Sequence, residues 1–209
     1  MNQRSRTLVV AVLSVALTAL SSCSALTDMA SVIASLKKLQ FKVDGVRDFK
    51  LLGIDLGGKA ALSDFTAGDA LKAVQSYRSR KLPVEFVVDI LAVNPNDGTG
   101  GSRRSASTLT ALECRLLIDG KPTVTGNIDR PIDIPGTGEQ SVVPLRLSLD
   151  LLEFFGDRRY EDILGLALAL GGKQRSAAKI ALDAQPTVST PFGPITYPDR
   201  ITIVSTEFR

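Results

Sequence analysis

Residues 82–93, LPVEFVVDILAV, constrain the fold more than any other stretch. Val84, Phe86, Val88, Ile90 and Ala92 fall on every second position, the period of a β-strand. Val87 and Leu91 between them are also apolar, so both faces of this strand need cover. The stretch at 107–118 alternates in the same way, with Leu112, Cys114, Leu116 and Ile118 set against Glu113 and Arg115. Asp119-Gly120 is a hairpin signal, and residues 121–128 form the returning strand. Residues 141–151 alternate at Val143, Leu145, Leu147 and Leu149. Further strands are expected at 43–49 and 50–56, closed by a Gly57-Gly58 turn, and at 179–190 and 195–207, joined by a Pro-Phe-Gly-Pro turn. Strands punctuated by turns in this number predict a mainly β protein, a β-sandwich of the fibronectin III or immunoglobulin-like type.

Two stretches have a different period and predict helical insertions. Residues 63–81 place Leu71, Val74 and Tyr77 on one helix face, with Ser63 or Asp69 as the cap. The helix ends on Arg78, Arg80 and Lys81, cations that suit the negative C-terminal end of a helix. As a plain reading this is a solvated helix end; as a functional one it contacts lipid head groups. Residues 150–172 are rich in Leu and Ala and predict one or two helices broken near Gly156. Leu151, Phe154, Phe155, Ile163, Leu166 and Leu170 either plug the open end of the sandwich or wall a hydrophobic ligand.

The chain opens with Arg4 and Arg6, no acidic residue, and then an uncharged apolar run at 7–20. That run is shorter than the about 20 residues a spanning helix needs, but it fits a secretory signal. Leu20, Ser21, Ser22 and Cys23 follow it. This resembles a bacterial lipobox, in which the signal is cut between positions equivalent to Ser22 and Cys23. The resemblance implies a diacylglyceryl group on the Cys23 sulfur and an acylated amino group. An ordinary signal cut nearby and an uncleaved anchor are the competing readings. Ser24, in place of an aspartate, points to the outer rather than the inner membrane. Residues 23–40 are then a tether, with helical spacing at Met29, Val32, Ile33, Leu36 and Leu39, and residues 41–209 are the folded domain.

Loss of residues 1–22 removes two arginines and no acid, leaving 23 Lys+Arg against 22 Asp+Glu. A nearly neutral domain lacks the electrostatic footprint of a nucleic-acid binder. The sequence holds no histidine, which removes Ser-His-Asp and Cys-His nucleophile systems and His-bearing zinc sites. With Cys23 lipidated, Cys114 has no cysteine to pair with and reads as a small core hydrophobe. The turn-rich run 94–102 carries no phosphate-binding glycine pattern; Asn96 and Asp97 are a minor calcium reading. No cofactor or metal site is expected.

The order of these pieces resembles the late-embryogenesis-abundant type 2 family, also called the water-stress and hypersensitive-response domain, and within it a bacterial lipoprotein branch of the Bacteroidetes type. The residues that carry the likeness are FVVDILAVNPN (86–96), LLIDGKPTVTG (116–126), IDIPGTGEQSVVPLRLSLDL (132–151) and TPFGPITYP (190–198). The helical segment 63–81 and the loop GTGGSRRS depart from the family pattern. The resemblance implies a fibronectin III-like sandwich, an association with stress, and no catalytic residues. Some relatives resemble modules that handle lipids.

Together these readings predict a lipid-anchored, non-enzymatic interaction or envelope-protection module facing the periplasm, bound to the membrane through its N-terminal lipid and to an unidentified envelope protein or lipid. The alternative is a carrier of a lipid or other hydrophobic ligand. A hydrolase built on carboxylates alone is a third and weaker reading.

Overall fold

Alternation along the sequence is realised as ten strands among the described residues. The structure, a computed structural model, describes residues 38–96, 98, 106–173, 180–190 and 193–209. Of these residues 48% are strand and 21% helix, so the protein is mainly β. The strands are β1 (Gln40–Leu51), β2 (Ile54–Asp55), β3 (Pro83–Val93), β4 (Ser107–Ile118), β5 (Lys121–Gly126), β6 (Ile132–Ile134), β7 (Gln140–Asp150), β8 (Ile180–Thr190), β9 (Gly193–Thr196) and β10 (Ile201–Ile203). The helices are α1 (Ala67–Arg78), α2 (Leu151–Phe155) and α3 (Tyr160–Gly171).

Two antiparallel sheets result. One has the order β2-β1-β3-β7; the other runs β10-β8-β4-β5, with β6 also on β4 and β9 also on β8. β5 and β6 share one edge of β4, at Cys114–Ile118 and Ser107–Leu109 respectively. β9 and β10 likewise share one edge of β8. Each outer rank of the second sheet is therefore a broken strand. β5 and β6 lie against β7, and β8 and β10 against β1, so the layers stack as a sandwich. Leu39–Arg209 form one compact unit, starting just before the expected boundary at residue 41.

β3 sits centrally, paired with β1 on one side and β7 on the other. Val84, Phe86, Val88, Ile90 and Ala92 are buried, as expected, and face the core with Val43, Leu145, Leu147, Leu112, Leu116 and Leu182. Val87 on the other face is buried too, while Leu91 is half-buried. Cys114 is buried in β4, its Sγ 3.4 Å from the Gly126 carbonyl. Burial is the main reason its thiol pKa is pushed up to about 11. Asp119 and Gly120 both adopt left-handed φ (51° and 74°), as the predicted two-residue hairpin requires.

The N-terminal strands differ from expectation. Residues 43–49 and 50–56 are not two strands closed by a turn at Gly57-Gly58. β1 is a single long strand with register shifts between Val43 and Gly45 and between Arg47 and Lys50. It reverses at Leu52-Gly53, where both residues have left-handed φ (55° and 74°). The bulges put extra residues into β1 and break the alternation that would have revealed its length. The expected strand at 195–207 divides into β9 and β10, and the proline-marked connection at 132–134 contributes the short β6.

Three side-chain arrangements hold the sandwich at its ends. At one end, Asn94 and Asn96 are fully buried. Asn94 Nδ2 donates to Ser107 Oγ and to the Ile134 carbonyl, both at 3.3 Å, and Asn94 Oδ1 accepts from the Asn96 backbone N–H at 3.1 Å. The Asn-Pro-Asn corner thus ties the end of β3 to β4 and β6. At the opposite end, Asp150 Oδ1 accepts from Leu82 and Leu152 N–H groups at 2.8 and 3.0 Å, turning β7 into α2. Gly171, at the end of α3, packs so closely on β1 that a Cβ there would land inside the Phe49 side chain.

Candidate functional site

The helices gather where β1 ends, β3 begins and β7 ends. Beside them lies a groove of about 280 Å³, lined by Leu51, Leu52, Ile54, Leu62, Phe65, Ala70, Ala73, Val74, Leu164 and Asp69. β1, its hairpin turn and β2 form one wall, α1 another, and Leu164 of α3 the third.

The groove follows from how α1 begins. A 3-10 turn at Leu62–Asp64 is fixed by the Asp64 carboxylate, which accepts from Ala60 and Ala61 N–H groups at 2.6 and 3.0 Å. Those two bonds hold the Asp64 pKa below the ordinary carboxylate value. Thr66 then caps α1: its Oγ1 accepts from Asp69 N–H at 3.1 Å, and the Asp69 carboxylate accepts from Thr66 N–H at 3.0 Å. This is the capping box. It replaces the expected cap at Ser63 or Asp69, although Thr66-x-x-Asp69 was the sequence signal for it. The Thr66 N–H is the first cause of a lowered Asp69 pKa, and Lys59 pairs with the same carboxylate at 3.5 Å. Lys59 also sits 4.6 Å above the Phe65 ring. The single charged residue lining the groove is thereby held by partners.

α1 turns small and polar residues toward the protein, Asp69, Ala73 and Ser76. Ser76 is its one buried residue, and Asp69, one helical repeat earlier on the same side, is half-buried. Leu71, Val74 and Tyr77 do share a face, as expected, but that face is turned outward. They are 60%, 49% and 57% exposed, and Leu62 beside them is 47% exposed. Periodicity marks which residues lie together but not which way they face. Tyr77 meets Tyr160 of α3 edge-to-face at 4.9 Å, the contact that moors the helix end. Burial, then Tyr77, raises the Tyr160 pKa.

The C-terminal end of α1 is a Schellman motif: Lys81 N–H reaches the Ser76 carbonyl and Arg80 N–H the Tyr77 carbonyl, each at 3.1 Å. Arg80 fills the left-handed position (φ 52°) that glycine usually occupies.

The residues expected to wall a hydrophobic ligand lie elsewhere. Leu151, Phe155, Ile163 and Leu170 are fully buried, Leu166 is 5% exposed and Phe154 half-buried. They do not line the groove. They are carried by α2 and α3 and, apart from Phe154, are buried there. The groove residues Leu52, Leu62, Phe65 and Leu164 carry no periodic signal of their own. Ser22 and Cys23, the tether at 24–37 and Asp97 lie outside the described residues. Asn96, the described half of the calcium reading, donates its Nδ2 to Asn94 Oδ1 at 2.8 Å and serves the buried corner. Among the described residues, no group of three or more Cys, Asp or Glu is placed to hold a metal ion, and no helix is long and apolar enough to cross a membrane.

No family model and no curated protein matches the chain. Among solved structures, a crystal structure of a protein from Archaeoglobus fulgidus is 11% identical, covering 60% of this chain and 87% of that one with a TM-score of 0.31.

Proposed function

We propose that this chain is a lipid-anchored, non-enzymatic sandwich of the cell envelope, of fibronectin III-like type and related to the late-embryogenesis-abundant type 2 domains. In this reading it works by contact rather than catalysis. The observation that carries the reading is the apolar surface left open around α1. Contiguous exposed apolar surface marks interaction sites. The charge-free run at 7–20 followed by Leu20-Ser21-Ser22-Cys23 supports the anchor. Two or three acyl chains on Cys23 make attachment stable where one would be marginal. The outer membrane, facing the periplasm, is the location this reading assigns.

Intact mass analysis of the membrane fraction tests the anchor. The expected product begins at Cys23 and carries a diacylglyceryl group and an N-acyl chain. A product that keeps residues 1–22, or a soluble one with an unmodified Cys23 thiol, overturns it. Crosslinking in native membranes then identifies what the apolar surface meets.

A second reading rests on the groove itself: its apolar lining suits one hydrophobic chain, as in a lipid carrier. Lipid co-purifying with a Cys23→Ala chain, and lost in Leu164→Trp, is the outcome this carrier reading requires.

A further inference from the structure

We infer that the outward face of α1 is a docking surface for an anionic lipid bilayer, so that the domain lies on the membrane through this helix rather than hanging free beside it. The inference rests on the anchored reading above and adds an orientation to it.

Three observations converge on one helix. The first is how much of its apolar surface stays open. Leu71, Val74 and Tyr77 are all about half exposed or more, although Val74 borders the groove and Tyr77 touches Tyr160, while the residues turned to the protein are the smaller or polar Asp69, Ala73 and Ser76. A helix folded only for its own domain would bury its larger apolar residues instead. Leu62 and Val74 belong to both this stripe and the groove, so the apolar surface continues from the helix into the groove. The second is charge. Lys72, Arg78, Arg80 and Lys81 are all exposed, and none pairs with a carboxylate among the described residues. Arg78 follows Val74 by four positions and stands at the end of the apolar stripe. Of the nearby acids, Asp69 pairs with Lys59, Asp150 caps α2 and Glu161 pairs with Arg159; Glu153 stands across the cleft from Arg78 and Arg80, and Asp162 is exposed in the first turn of α3. The third is Arg80. Glycine would hold its left-handed conformation with less strain, yet the chain places a cation there.

An apolar stripe bordered by unpaired cations, with a tyrosine between them, matches a bilayer interface: acyl chains beneath, anionic head groups above. A second copy seated on the same face would bring the same cations against each other. The complementary surface is therefore negative and apolar at once.

The sequence contains no tryptophan, so a single introduced indole reports its own surroundings. Leu71→Trp, Val74→Trp and, on β7, Val142→Trp are each made in the full chain, purified as the native membrane product. Each is reconstituted into phosphatidylethanolamine–phosphatidylglycerol vesicles containing lipids brominated high on the acyl chains. All three positions are about half exposed or more, so each accepts the substitution. The expected result is a blue-shifted, strongly quenched emission at positions 71 and 74 and an unshifted, unquenched one at 142. Quenching at 71 and 74 should fall toward the control when Arg78, Arg80 and Lys81 are all changed to glutamine, or when phosphatidylcholine replaces the mixture. Flotation of the same samples separates the two readings. A chain that fails to float overturns the anchor and the docking that depends on it. A chain that floats while positions 71 and 74 stay as dark to the quencher as 142 keeps the anchor and overturns the docking. A blue shift without lipid quenching, or one that grows with protein concentration, shows that a protein or a second copy covers the face, and overturns it as well.

Discussion

Single residues decide how closely the layers meet. Gly171 lets α3 rest on Phe49, and Gly126 lets β5 approach Leu147 of β7 so closely that a methyl group there would require the Leu147 Cδ2 to shift. Gly171→Ala should lower stability by about 1–3 kcal/mol, because the added carbon can be accommodated only by moving the helix or the ring. Chemical denaturation of the variant measures this; an unchanged midpoint would mean that the contact between α3 and β1 is looser than described. Asn94 shows the opposite kind of necessity, a buried amide whose hydrogen bonds cannot be traded for apolar contact without leaving Ser107 and the Ile134 carbonyl short of a partner. Its role at a strand end was not legible in the sequence, where Asn-Pro-Asn reads only as a turn. The Cys114 environment was legible, because the residue sits in phase with Leu112 and Leu116.

Among the elements, α1 depends on its caps more than on packing. Asp64 and Asp69 have pKa values lowered in the folded state, chiefly by backbone N–H groups, so they stabilise the segment above their unfolded values, near pH 4. That contribution is lost as pH falls through the lowered folded values. Amides of residues 60–78 should accordingly exchange faster in acid while those of β3 and β4 hold, and Asp64→Asn with Asp69→Asn should flatten the pH dependence. Hydrogen exchange resolved by residue makes the comparison. The strands β3, β4, β7 and β8 were legible to within a residue, since each keeps an alternating run between clear turns, which in β4 starts at Leu112, beyond the irregularity between Leu109 and Ala111. β1 was not, because its bulges shift the phase twice. The position of α1 was legible, but its orientation was not. A hydrophobic period says that a face exists, and only the finished surface shows whether the protein itself covers it.

At the scale of the whole molecule, one core runs through both sheets and the α2–α3 segment, so the unit from Leu39 to Arg209 should open cooperatively. Cys114 offers an internal clock for that event. Its thiol is buried and its pKa is about 11, so a thiol reagent should reach it only when the core opens. Labelling of Cys114 in a chain lacking residues 1–23 should track loss of far-UV dichroism along a thermal ramp. Labelling well ahead of it would reveal separate opening of the β4–β5 edge. The same outer ranks bear on solubility. One flank of the second sheet is divided between β5 and β6 and the other between β9 and β10, and β7 on the first sheet carries Pro144 mid-strand. Each of these three rims therefore offers a foreign strand only a short or interrupted ladder, the arrangement that resists amyloid-like accretion. Molecules with such rims should tolerate crowding to high local density with less tendency to stitch themselves into fibrils.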